Sequence, residues 1–248
     1  METYQEKVKQ ELQQWQKKML KKPSISSKLT NGLQTKFNDL IPDKVQAAFT
    51  FAISNMTKAV LLGSEYTTRK SVLYQGSLEE RDKSCREKLA FYRKAALTTG
   101  AGTGAGGIFL GLADFPLLLG LKIKFLFEAA RIYGFDVKDI RERIYILTLF
   151  QLAFSSAQKR AVVFRRIVNW DEYLQEFPPD LKSFDWHTFQ QEYRDYIDLA
   201  KMLQLVPGIG AFVGAYANYK LMDKLGEAAI NSYRLRILQK KIDHHIEI

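Results

Sequence analysis

The chain has 248 residues, enough to bury a substantial core, and its 37 Lys and Arg against 27 Asp and Glu give a net charge of +10. That sign favours anionic partners, whether acidic headgroups, nucleic acid or acidic proteins. A single cysteine, Cys85, excludes an intrachain disulfide framework or a multi-cysteine metal site and suits a reducing compartment.

The opening METYQEKVKQELQQWQ places acidic and polar residues where a secretion signal would need an apolar core. With no myristoylation or prenylation box either, a cytoplasmic protein is expected. Tyr4, Val8, Leu12, Trp15 and Met19 recur at spacings of three or four, and Lys7, Lys9, Lys17, Lys18, Lys21 and Lys22 fall elsewhere. The spacing predicts a basic amphipathic helix ended before Pro23, docked on a core or lying in a membrane interface.

Leu29, Leu33, Phe37 and Leu40 form a second stripe closed by Ile41-Pro42. A third, Val45, Phe49, Ile53, Met56 and Val60, runs to a glycine cap at Gly63. Residues 64–76 read as loop. Ser77 followed by Glu80 is a capping-box pattern, predicting a helix from about Leu78 toward Leu97 whose charged first half gives way to an apolar second half.

The stretch from Thr98 to Gly134 organises the rest. Between Lys94 and Asp114 lie nineteen uncharged residues, close to the length of a membrane span, but six are glycine and Asp114, Lys122, Lys124 and Glu128 follow closely. The segment is therefore too weakly hydrophobic to read as an obligate span. Asp114 is placed to cap a helix started by Pro116 and ending near Tyr133-Gly134. Asp136 and Asp139 repeat that cap logic for a helix carrying Ile140, Ile144, Leu147, Phe150 and Phe154. Residues 169–186 suggest a short helix and an irregular connection. A helix over about 186–205 is broken by Pro207-Gly208, and a last long helix covers about 209–242.

Gly102, Gly104 and Gly107 match the GxGxxG dinucleotide fingerprint, but the preceding KLAFYRKAALTT reads as helix, whereas the fingerprint needs a strand. No cofactor is expected. The pairs Gly100/Gly104, Gly102/Gly106, Gly107/Gly111 and Gly210/Gly214 satisfy GxxxG, which puts both glycines on one helix face and lets another backbone approach. Two glycine-rich helical segments packed centrally are the expectation. Inserted as a hairpin, they would also meet a lipid.

The common enzyme signatures are absent from the sequence: the three histidines form no HExxH, and neither a GxSxG elbow nor the Lys-Ser/Thr of a P-loop is present. Asp114 is the candidate functional carboxylate, with helix capping as its plainer explanation. No catalytic or metal-binding residue is assigned.

TGAGTGAGGIFLGLADFPLLL with EAARIYGFD, followed by VPGIGAFVGAYAN, resembles the EcsC protein family over about Leu29 to Leu238. The resemblance implies a bacterial protein associated with the EcsAB ABC transporter and carries no catalytic motif. The expected architecture is all-α with about seven to nine helices in all: a basic amphipathic helix over 1–27, an EcsC-like helical domain over 28–242 and a polar tail over 243–248. The expected function is that of a non-enzymatic accessory protein peripheral to the inner face of the membrane. Its candidate membrane or packing residues are Trp15, Lys17, Lys18, Lys21 and Lys22, the glycines Gly100, Gly102, Gly104, Gly106, Gly107, Gly111, Gly208, Gly210 and Gly214, and Pro116 and Pro207. A hydrolase acting on peptide or lipid is the enzymatic alternative. A nucleic-acid or protein binding module is the third, with nucleic acid disfavoured because basic residues interleaved with exposed aromatics are lacking.

Overall fold

A computed structural model describes residues 3–22, 43–62, 76–101, 115–156, 159–176 and 211–246. These residues form eight helices: α1 (Tyr4–Leu20), α2 (Asp43–Leu62), α3 (Leu78–Ala101), α4 (Phe115–Ile132), α5 (Ile140–Phe154), α6 (Arg160–Val168), α7 (Trp170–Gln175) and α8 (Ala211–Ile246). The fold is all-α, as the 3.6-residue periodicity predicts.

Local chemistry sets several helix ends. Thr3 and Glu6 form a capping box at the start of α1. Ser77 and Glu80 do the same before α3, the Ser77 backbone N–H donating to Glu80 Oε2 at 2.8 Å and the Glu80 N–H to Ser77 Oγ at 3.3 Å. Asp139 caps α5 by accepting from the Arg141 N–H at 2.9 Å. After α4, Gly134 adopts φ 87°, and the bonds Gly134 N–H to Arg131 O and Phe135 N–H to Ala130 O complete a Schellman cap. A side chain at Gly134 would be strained by that backbone conformation.

The long helix α8 is the axis. It packs most extensively on α3 and also touches α5, α4, α1 and α6, while α4 lies on α3, and α2 closes over α4 and α5. As residue numbers rise along α3 they fall along α8: Asp82 meets Arg234, Leu89 meets Gly226, and Arg93 meets Asp223. The two helices are therefore antiparallel. The same holds for α1, where Glu11 pairs with Arg234 and Lys18 with Glu227, each at 2.7 Å. Seven residues on each helix separate these ties, about two turns, so α1 and α3 run parallel to one another across one face of α8.

The apolar stripe of α1 enters the core as its spacing predicts: Val8, Leu12, Trp15 and Met19 are buried, and Trp15 stands edge-on to Phe164 of α6 at 5.2 Å. Rings join other helix pairs, Phe49 to Phe115 at 4.2 Å between α2 and α4, and Tyr145 to Trp170 at 4.7 Å between α5 and α7. Helix α5 is buried continuously from Ile144 to Leu152, apolar side chains flanking Thr148 and Gln151. Thr148 satisfies its hydroxyl on the Ile144 carbonyl at 2.9 Å.

Two glycines on α4 and α8 carry opposite demands. A Cβ built on Gly226 would overlap both δ-methyls of Leu89, so the close approach of α8 to α3 depends on the missing side chain. A Cβ on Gly120 would meet nothing within 4 Å. Gly120→Ala is expected to raise stability by about 0.5–1 kcal/mol through helix propensity. Gly226→Leu is expected to lower it by about 1–3 kcal/mol or more through overpacking. Denaturant midpoints of the two variants check both signs, and equal shifts would sink the close-approach argument.

Candidate functional site

Polar chemistry inside the helical bundle concentrates in two clusters held by α8. In the first, Arg234 binds buried Asp82 of α3 with its Nε at 2.8 Å and a terminal nitrogen at 2.7 Å, and reaches Glu11 of α1 at 2.7 Å. Tyr4 donates its hydroxyl to the same Asp82 at 2.5 Å, and Tyr133 donates to the other carboxylate oxygen. Burial, reinforced by the Asp82 carboxylate, pushes the Tyr4 hydroxyl up to about 12. Cys85, one turn along α3, is buried, and burial pushes its thiol up to about 12, so it stays a neutral packing group at pH 7.

The second cluster lies two residues further along α8. Glu142 of α5 accepts from the Tyr233 hydroxyl at 2.6 Å and from Arg236 at 2.6 Å. Burial raises the Glu142 carboxyl and outweighs the opposing pull of Arg236 and Tyr233. The Arg236 guanidinium also lies over the rings of Phe135 at 4.2 Å and Tyr145 at 4.5 Å, where the aromatic faces attract its charge. The stacked rings of Tyr133 and Tyr233, 5.3 Å apart, join the two clusters. Both carboxylates are enclosed and already accept from tyrosine and arginine, so neither is presented to a substrate. They orient helices.

Lys122 of α4 is a third buried polar group, wholly inaccessible, with Nζ 3.4 Å from the Leu118 carbonyl and 3.4 Å from Asn218 Oδ1 of α8. Burial pushes its ammonium down to about 7. In the sequence Lys122 counts only as a charge against a membrane span, yet its burial has a signal: position 122 lies four after Leu118 and three after Leu119, on the apolar face, whereas Lys124 is exposed.

Outside the core, α1, α3 and α8 enclose an open groove of about 790 Å³. Its lining includes Trp15, Leu89, Ile230 and Arg234, each of them buried, so its deepest wall is made of side chains that belong to the core. The solvent face of α1 beside it is cationic: Lys7, Lys9, Lys17, Lys18, Lys21 and Lys22 are all exposed, as is Leu20 at 45%. Arg160 of α6 extends this surface, donating toward the Met19 carbonyl at 3.4 Å.

Of the residues singled out by sequence, Trp15 is a core side chain, while Lys17, Lys18, Lys21 and Lys22 line the exposed face above it. Pro116 sits exposed in the first turn of α4. Gly100 lies in the last turn of α3 and Gly214 in the first turn of α8. Gly102, Gly104, Gly106, Gly107, Gly111, Asp114, Pro207, Gly208 and Gly210 lie outside the described residues, as do the stripe around Leu29–Leu40 and the helix expected over 186–205. Gly226 admits a neighbouring helix, and it has no glycine at four-residue spacing to flag it. Among those residues, no three or more His, Cys, Asp and Glu side chains are grouped to hold a metal ion.

An all-α bundle tied by buried ion pairs and faced with lysines defines a helical protein whose visible polar groups bind and orient helices. The chain belongs to the EcsC protein family, whose model matches residues 6–238. The match starts well before the Leu29 boundary expected from the quoted motifs and so takes in α1, in keeping with the packing of that helix on α6 and α8. The chain is 46% identical over 231 residues to Protein EcsC of Bacillus subtilis (strain 168), covering 93% of this chain and 95% of that one. It is 24% identical over 251 residues to the uncharacterized protein YdbA of the same organism, covering 94% and 92% respectively. No solved structure matches the chain.

Proposed function

We propose that this EcsC-family chain is a non-enzymatic accessory protein that works at the inner face of the cell membrane, beside an ABC transporter. One observation carries the membrane reading: α1 turns its apolar stripe into the core and leaves a row of exposed lysines, with Leu20 exposed at their end. Such a face attracts anionic headgroups at about 1 kcal/mol per lysine near the surface. Because Trp15 is committed to the core, binding on this reading is mainly electrostatic and peripheral. Among the described residues no helix is long and apolar enough to cross a membrane. The transporter link rests on the family resemblance.

Flotation with vesicles tests the reading. Vesicles containing phosphatidylglycerol should carry the protein upward at low salt and release it as salt rises, since exposed charges are screened. Neutral phosphatidylcholine vesicles should leave it behind. Changing Lys17, Lys21 and Lys22 together to Gln removes about 3 kcal/mol of attraction, an affinity loss of about a hundredfold. Absence of flotation with anionic vesicles at low salt would remove the membrane reading.

A further inference from the structure

Helices α3 and α4 run antiparallel: the Arg81 guanidinium donates to the Tyr133 carbonyl at 2.6 Å, and further along α3 the Tyr92 hydroxyl donates to Glu128 at 2.7 Å. Lys88, Phe91 and Ala95 recur at spacings of three and four on α3, and Leu117, Leu121, Lys124 and Glu128 do so on α4. Each set therefore shares one helix face. Lys88 binds Glu128 at 3.0 Å, which sets the two faces side by side. Their joint surface is apolar and open, with Phe91 63% and Leu117 56% exposed and Leu121 partly buried. A Cβ on Gly120 beside them would meet nothing within 4 Å.

This surface lies toward the end of the bundle where α3 stops at Ala101 and α4 starts at Phe115. Because α1 runs parallel to α3, the same end carries exposed Leu20 with Lys17, Lys21 and Lys22, and Lys124 lies on the surface itself. Its acids are Glu87, one turn before Phe91, and Glu128, which Lys88 and Tyr92 already hold. Glu6, Glu80 and Asp139, the capping carboxylates at the starts of α1, α3 and α5, sit at the opposite end. An apolar ridge flanked by lysines, with the capping acids turned away, matches the interface of an anionic bilayer, where phosphates lie above acyl carbons. We infer that the α3–α4 surface is the part of the chain that enters the bilayer, Phe91 and Leu117 passing below the headgroups while Lys124 and the α1 lysines stay at phosphate level. This rests on the anionic-membrane reading above and adds to it an apolar contact that the lysines of α1 do not supply.

Vesicles of phosphatidylglycerol mixed with phosphatidylcholine test this on the full chain. Phe91→Ser with Leu117→Ser should weaken vesicle binding about tenfold at low salt, the scale of the apolar area withdrawn from the interface, and should not lower the melting temperature. Leu62 is the control: it is 75% exposed, and its carbonyl accepts from Arg143 near the start of α5, at the opposite end of the bundle. Leu62→Ser should leave vesicle binding unchanged. Depth is read separately with phosphatidylglycerol brominated on its acyl chains. The added fluorescence of Phe91→Trp over the parent should be quenched, and that of Leu62→Trp should not. Full affinity in the double serine variant, or equal quenching at the two positions, would overturn the surface. Dimerisation that the serine pair abolishes, with vesicle binding intact, would overturn it in favour of a second copy of this chain. If the parent floats and Phe91→Trp stays unquenched, this surface fails and the membrane reading stands; if the parent does not float with anionic vesicles, both fail.

Discussion

Replacing Asp82 with alanine should destabilise the protein by about 3–5 kcal/mol, the range expected when one partner of a buried ion pair is removed. Asp82 is 1% exposed and accepts from Arg234, Tyr4 and Tyr133, so its loss orphans donors on three elements: α1, α8 and the turn after α4. Glu11 still meets Arg234 at 2.7 Å, but on the groove side, and it does nothing for the Tyr133 hydroxyl. Guanidinium unfolding of the variant against the parent measures the loss. A change below about 1 kcal/mol, the level of an exposed pair, would mean that water entering by the groove rehydrates the guanidinium.

The double variant Asp82→Leu with Arg234→Met separates the worth of the pair from the penalty of breaking it. Apolar replacements remove both desolvated charges, so the double variant should be more stable than Asp82→Ala alone. Tyr4 and Tyr133 would still need acceptors, and full recovery is not expected. Because Arg234 and Arg236 stand two apart on α8 and reach carboxylates on α3 and α5, the pairs fix the rotation of α8 between its neighbours. Hydrophobic stripes alone specify such a rotation loosely. Directional ion pairs on two sides specify it tightly.

Much of the helical frame was legible because its signals are local. Ser77 with Glu80, Asp139 before Ile140 and Gly134 after Tyr133 each act within a few residues, and each appears at the helix end it predicts. The Thr3–Glu6 box carries the same spacing and went unread, although the pattern was there. What the sequence hid is long-range. Asp82 and Arg234 lie 152 residues apart, each inside a charge-rich run that reads as solvated surface. The stripe Cys85, Leu89, Tyr92 and Ala96 could have exposed the pairing, since Asp82 stands three residues before its first member on the inward face of α3. A carboxylate on a buried stripe demands a cation from another element, but periodicity does not say which. The groove was invisible for the same reason, being a product of how α1 and α3 share one face of α8.

Lys122→Met should stabilise the protein at neutral pH, the reverse of the usual result for a core substitution. In the unfolded chain the ammonium titrates at its ordinary 10.5, whereas burial holds it at about 7 in the folded state. Between these values the unfolded chain binds a proton that the folded chain lacks, so the parent gains stability as pH rises from about 7 to 10.5. Below about 7 both states are protonated and the penalty is at its full, constant size; above 10.5 both are neutral and it vanishes. Near pH 7 it amounts to about 4 kcal/mol from the separation of the two values. Methionine fills nearly the same volume with no charge. Losing the 3.4 Å contact to Asn218 returns about 1 kcal/mol, leaving a net gain of about 3 kcal/mol. Unfolding curves of parent and variant at pH 7 and pH 10 supply the check, because other titrating groups are common to both proteins and cancel in the difference. The advantage of the variant should be largest at the lower pH and shrink toward the higher one. Destabilisation at pH 7, or an advantage that does not change with pH, would show that Lys122 is charged in the folded protein and matched by an anion.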